Sequence, residues 1–209
     1  MIKAFFLIFE PGVAWARIAQ VQRGFAYILG LYLLPMIVLS SVAEGWGLYH
    51  WGKWQPQFQK VRVFPHRAEI ITIEVIQAGL FLIMVLLSAL LLLKISQTFE
   101  NRRNFLQAFT TMSYAFSPFF VVHLFDAGRM IHPATTWLIG IALTCWVLYQ
   151  GIPLVMQPDP THAFGVYLSS IFVILLTSGL ARIFTAMDLL GYVDFHHSWL
   201  TQQFPALFQ

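Results

Sequence analysis

The sequence predicts an all-α integral membrane protein: a bundle of five transmembrane helices preceded by a short amphipathic helix lying in the membrane interface. Three observations carry that expectation. Of 209 residues, 58% are apolar and only 10% are charged, with a mean hydropathy of +0.71; a soluble domain carries roughly 25% charged residues, so these charges cannot cover a water-facing surface. The charges bracket apolar stretches of about 20 residues, the length that crosses a bilayer. The stretch 80–93 is a nearly unbroken run of Leu, Ile, Val and Met, without the alternation that barrel strands show, so helices are the structure that satisfies the backbone in lipid.

The elements follow in order. Lys3 and the apolar residues 4–9 imitate a secretory leader, but Glu10 and Pro11 interrupt the run too early, so no cleaved leader is expected. Pro11 suits the first position of a new helix. In that helix Trp15, Ile18 and Ala19 share a face while Arg17 and Gln20 point away, which predicts an interfacial helix anchored by Trp15. Residues 1–23 form this segment. A membrane domain over 24–187 then holds spans at about 25–43, 75–93, 105–125, 135–155 and 162–185, and 188–209 form a tail. Arg182 stands near the end of the last span, where it can reach the headgroups. The connection 46–69 is the one long polar loop. Its Trp46, Trp51 and Trp54 suit an interfacial belt, and Val61, Val63 and 70–73 hint at strand or an early helical start. The remaining loops are short, so consecutive helices are antiparallel neighbours.

Charge does not orient the bundle. Five spans place Lys3, Arg17, Arg23, Lys94, Arg102 and Arg103 on one side, and Lys53, Lys60, Arg62, Arg67, Arg129 and Arg182 on the other. That is a tie under the positive-inside rule, broken only by the weight of Arg17 and Arg23 just before the first span. The net charge of +3 rests on few Lys and Arg placed as topology markers, which excludes a nucleic-acid surface and suits anionic headgroups.

Candidate functional residues concentrate in the third span. Pro118 cannot donate a backbone hydrogen bond and should free the carbonyl of Tyr114. Ser113, Tyr114 and Ser117 offer polar groups at that kink, readable as a hinge or polar cleft, or as a packing kink. His123, Asp126 and Arg129 follow at spacings of three and share a face. Asp126 and Arg129 suit an interfacial ion pair, and a proton relay would require them at membrane depth. Glu44, Glu74 and Lys94 mark span boundaries; if Glu74 lies inside the bilayer it needs a partner such as Arg67, or Lys94 of a second copy. Cys145 is a lone packing residue. Asp194, His196 and His197 sit in the tail without a further metal-ligand motif, so no metal is expected. No activated nucleophile with its base, no phosphate-binding loop and no dinucleotide fingerprint appears, so no catalytic residue, no cofactor and no enzymatic activity is expected.

Glu10-Pro11 with Trp15 and Ile18, then Asn104-Phe105-Leu106-Gln107-Ala108, Ser113-Tyr114 and Pro118, then Leu148-Tyr149 and Gly151-Ile152-Pro153 resemble the Yip1-domain family of multi-pass membrane proteins. The final helix near 163–173 fits the same pattern. The resemblance covers about 11–185 and is closest to the short prokaryotic members; the Trp-rich loop and the tail are not family features. It implies five spans with the N-terminus cytoplasmic and the C-terminus outside, in the inner (plasma) membrane. Eukaryotic members bind small GTPases and shape membranes, but the resemblance transfers no catalytic residue. The expected function is a non-enzymatic scaffold or accessory subunit, partnered by lipids and by other membrane proteins or itself. Gly140, Ala142, Ser169 and Ser170 offer small packing surfaces for such contacts. The alternative is a lipid or small-solute transporter using a cleft at the kinked third helix.

Overall fold

A computed structural model describes residues 2–54, 62–63, 67–99, 104–128 and 133–189. Helix α1 (Ile2–Phe9) turns at Glu10 into α2 (Pro11–Val21), with Pro11 at the start of the new helix as its fixed φ favours. Five helices long and apolar enough to cross a membrane follow: α3 (Phe25–Trp51), α4 (Arg67–Thr98), α5 (Phe105–Ala127), α6 (Ala134–Met156) and α7 (Ala163–Leu189). We call the face at which α3 begins proximal and the opposite face distal.

Two spans run past the limits set by charge. Helix α3 does not end before Glu44 but continues to Trp51, and α4 begins before Glu74. Its 32 residues extend about 48 Å, well beyond the hydrocarbon thickness. The reason is burial: Glu44 sits inside the bundle, so it marks no boundary. Between these helices the long connection carries a small antiparallel ladder of β1 (Lys53–Trp54) and β2 (Arg62–Val63), pairing Lys53 with Val63 and Trp54 with Arg62.

Proline shapes three of the spans. A wide π turn over Leu29–Leu33 precedes Pro35 in α3, and another over Ile152–Met156 contains Pro153 in α6. The latter closes with Gln157 N–H donating to the Ile152 carbonyl at 3.1 Å. Wider turns absorb the lost i→i−4 bonds and ring clashes of proline. Helix α5 starts in a reciprocal cap: Gln107 N–H donates to the Asn104 side chain at 3.0 Å, and Asn104 N–H donates to the Gln107 side chain at 3.2 Å. It breaks at Phe116, just before Pro118.

Helix α5 is the axis of the bundle. Of its apolar window 89% is buried, against 33–44% for the other four spans. It is also the least apolar of the five, so the surrounding helices shield it from lipid and leave apolar side chains such as Leu31, Val75, Leu138 and Phe172 facing outward. Helix α4 packs between α3 and α7 and against the first half of α5, while α6 covers the second half of α5. Gly140 of α6 lets Phe119 approach closely; a Cβ there would stand 3.2 Å from the Phe119 Cα. Gly140 and the fully buried Ser170 therefore serve packing within one chain, not an outer surface.

The short N-terminal amphipathic helix is present, and the structure shows what its apolar face covers. Its apolar face, with Ala14, Trp15 and Ile18 buried and Arg17 and Gln20 turned outward, rests on protein. Helix α2 packs on α6, and α1 packs on α2, α6 and the second half of α5. A Trp that can bury its ring against a glycine and also find a carbonyl for its N–H gains more there than at a headgroup, where one side stays wet.

Candidate functional site

The kink in α5 is built as the sequence requires. Pro118 leaves the carbonyl of Tyr114 without its helical donor, and Ser117 Oγ donates to that oxygen at 2.7 Å. Tyr32 of α3 donates its hydroxyl to Ser117 Oγ, since the serine proton is already committed. The rings of Tyr32 and Tyr114 lie 4.2 Å apart, and Trp15 meets Tyr114 edge-on at 6.3 Å. Trp15 Nε1 donates to the Val147 carbonyl of α6 at 2.9 Å. Four elements (α2, α3, α5 and α6) are thus tied by one chain of rings and hydrogen bonds.

That chain fills the kink. Ser113, Tyr114, Ser117 and Pro118 are all buried. Ser113 Oγ has no hydrogen-bond partner. Among the described residues, one cavity of about 150 Å³ lies at the proximal rim between Arg23, Asn104, Gln107 and Gln157, one of about 370 Å³ beside Phe6, Val13 and Arg17, and one of about 490 Å³ in the groove beside Tyr149, Pro153 and Tyr167.

The predicted polar face at the end of α5 is only partly assembled. His123 and Asp126 come together with their side chains 2% and 3% exposed, their facing atoms 4.0 Å apart, so this pair is interior and too long for a hydrogen bond. His123 Nδ1 faces the Phe119 carbonyl at 3.0 Å. A carbonyl only accepts, so Nδ1 carries a proton. Asp126 Oδ1 accepts from Thr136 of α6 at 2.7 Å, while its Oδ2 has no hydrogen-bond partner. Arg129, the other expected partner, lies outside the described residues, as do Asp194, His196 and His197.

The tryptophans separate by environment. Trp15 is 0% exposed and bonds inside the bundle, so it anchors α2 to α6 rather than to headgroups. Trp46 is 60% exposed, and Trp51 points outward with Nε1 donating to the Ala127 carbonyl at 3.2 Å. The side chain of Trp54 lies outside the described residues.

Sequence reasoning read Glu44 and Glu74 as boundary markers and passed over Gln77, Gly45 and Gly47, which complete the distal interior with them. Glu44 of α3 is buried and accepts from Gln77 Nε2 of α4. Glu74 lies one turn before Gln77, and its stem rests against Gly45, where a Cβ would meet Glu74 Cγ at 3.0 Å. Gly47 lets the backbone at Asp126 and Ala127 touch α3. The segment Glu44-Gly45-Trp46-Gly47 therefore places one carboxyl between two clearances, one toward α4 and one toward α5. The available signal was that pairing of a charge with flanking glycines inside a run otherwise long enough to continue a helix. Within the chain Arg67 is engaged elsewhere, donating to the Tyr49 hydroxyl at 2.9 Å, and Lys94 stands toward the opposite end of α4. Among the described residues, no group of three or more His, Cys, Asp or Glu is arranged to hold a metal ion.

Five apolar spans, four of them wrapped on the buried, kinked α5, define a multi-pass helical membrane protein. The chain belongs to the Yip1-domain family, whose model matches residues 5–181. No curated protein and no solved structure matches it.

Proposed function

We propose that this chain is a non-enzymatic scaffold or accessory subunit of a membrane complex, contacting lipids and associating with other integral membrane proteins or with itself. The observation that supports this is the closure of its axis. The polar groups of α5 that would line a translocation cleft (Ser113, Tyr114 and Ser117) are buried, and Tyr114 and Ser117 are tied up in contacts within the bundle. A path for solutes needs polar groups facing a water-filled cavity instead. The large outward surface is apolar and available to lipid or to another helix.

In this reading 1–23 brace the bundle, 24–187 form the membrane domain and 188–209 are a tail. The chain sits in the inner (plasma) membrane with its N-terminus cytoplasmic and its C-terminus outside. The test is extraction in a mild detergent followed by crosslinking: a discrete homo- or hetero-oligomer is expected, and recovery solely as an isolated monomer refutes the proposal. The transporter reading draws on one observation, the buried carboxyl of Asp126 facing His123 at the end of α5. Solute or lipid flux into proteoliposomes that drops on Asp126→Asn or Tyr114→Phe would favour it, and flux equal to empty liposomes would end it.

A further inference from the structure

The distal interior holds oxygens that the fold leaves without donors. Both carboxyl oxygens of Glu74, Oε1 of Gln77 and Oδ2 of Asp126 are buried and have no hydrogen-bond partner. Gln77 is the informative member because it is neutral. It is 2% exposed, its Nε2 is fixed by donation to Glu44, and its Oε1 is left as a bare acceptor within the cluster. A buried acceptor without a donor is costly, and a buried ionised carboxylate without a contacting cation is far more so.

The charges facing this region come from every helix around it. Helix α3 brings Glu44, α4 brings Glu74, α5 brings His123 and Asp126, and α7 brings Arg182, which lies within electrostatic reach of Glu44, His123 and Asp126. Helix α6 contributes the neutral Thr136. Glu74 in turn lies within reach of both Glu44 and Asp126. Among the described side chains, then, three carboxyls face one arginine. Unpaired acceptors also outnumber unpaired donors there: against the four oxygens stand only Ser41 Oγ and the indole N–H of Trp137, beside Thr136.

We propose that Glu44, Glu74 and Asp126 form a proton-binding site inside the closed bundle. A proton supplies both missing things: it removes the charge of a carboxylate and converts one of its oxygens into a donor. A proton on Glu74 leaves that residue with one donor and one acceptor oxygen and, at a spacing of three along α4, within reach of Gln77 Oε1. A second proton shared with Asp126 does the same for Oδ2 opposite His123. Emptying the site would set carboxylates against one another beside Gly45 and Gly47, where α3 closely approaches α4 and α5, so loss of protons loosens that corner.

Infrared spectroscopy of the full chain in phosphatidylcholine nanodiscs tests this. Protonated carboxyl groups should be visible at neutral pH, persist to higher pH than surface carboxyls, be reduced by Glu74→Gln or Asp126→Asn, and be lost in the double variant. Because the folded bundle then holds protons that an opened chain releases, thermal stability should fall as pH rises, with a flatter dependence in either amide variant. Absence of a protonated-carboxyl band in the wild-type protein overturns the proposal, whether ordered waters or a sodium or calcium ion supply the missing partners instead. So does a band unchanged by both substitutions. The wild-type titration decides the matter even if a variant fails to fold.

Discussion

Gly151→Ala is a sharp test of the packing around Trp15. A Cβ added at Gly151 would stand 2.5 Å from Cε2 and Cζ2 of the indole and 3.0 Å from Cδ2. Carbon contacts settle near 3.5–4.0 Å, so the ring must retreat by about 1 Å. It has little room, since it is 0% exposed and lies edge-on to Tyr114. Overpacking of this kind costs about 1–3 kcal/mol. The retreat also strains the 2.9 Å bond from Nε1 to the Val147 carbonyl, an interaction of about 0.6 kcal/mol in a membrane bundle. Opposing both is the intrinsic preference for Ala over Gly inside a helix, about 1 kcal/mol. The expected net loss is therefore about 1–2 kcal/mol, read as the midpoint shift in a denaturant titration of the micelle-reconstituted protein. The sign should reverse when the ring is removed: on a Trp15→Leu background, Gly151→Ala should be neutral or stabilising. A coupling of at least about 1 kcal/mol between the two sites follows. Additivity of the two substitutions, or a neutral Gly151→Ala in the otherwise wild-type chain, would show that α2 does not seat its tryptophan on α6.

Two further outcomes follow from the kink and the cap of α5. Ser117→Ala removes the donor to the Tyr114 carbonyl and the acceptor of the Tyr32 hydroxyl, so it should cost about 1–3 kcal/mol in the same titration; Tyr32→Phe should cost less, and the double variant less than their sum, whereas strict additivity would show that the two hydrogen bonds are not coupled. Asn104→Ala unmakes one half of the reciprocal cap and should cost about 1 kcal/mol, with faster amide hydrogen exchange in the first turn of α5; unchanged exchange there would show that the cap does not hold that turn.

The number of spans was legible because lipid acts on whole helices. A charge in hydrocarbon is expensive, so charge-free runs of bilayer length mark spans even without an alignment. The kink was legible for an equally local reason: Pro118 removes a single donor, and Ser117 lies within reach of the carbonyl it frees. What failed was the inference that a charge marks a boundary. Glu44 lies within α3 because Gln77, 33 residues away in sequence but adjacent in space, offers it a donor, and because Gly45 and Gly47 let two helices close over it. Such cover is tertiary and leaves no periodic trace. Trp15 misled in the same manner. Tryptophan suits an interface and a core alike, and only the glycine it rests on, far along the chain at Gly151, distinguishes the two.

The two ends of α5 carry opposite kinds of polarity, and that difference bears on how the bundle works. Toward the proximal side its polar groups, Ser113 Oγ excepted, are paired: the cap at Asn104 and Gln107, the Ser117 bond and the Tyr32 contact each give a donor to an acceptor. Such satisfied networks rigidify. Toward the distal side acceptors outnumber donors, and the helix leaves the α form for a 3-10 turn over Leu124–Ala127 where it touches α3. A structure held firmly at one end and short of donors at the other has a preferred place to yield. Movement, if the bundle moves, should open α3 from the end of α5 at Gly47 while the Trp15–Tyr114–Tyr32 junction stays closed. Hydrogen exchange that is slow around Tyr114 and faster near Gly45–Gly47 would match this order of stability, and the reverse order would contradict it.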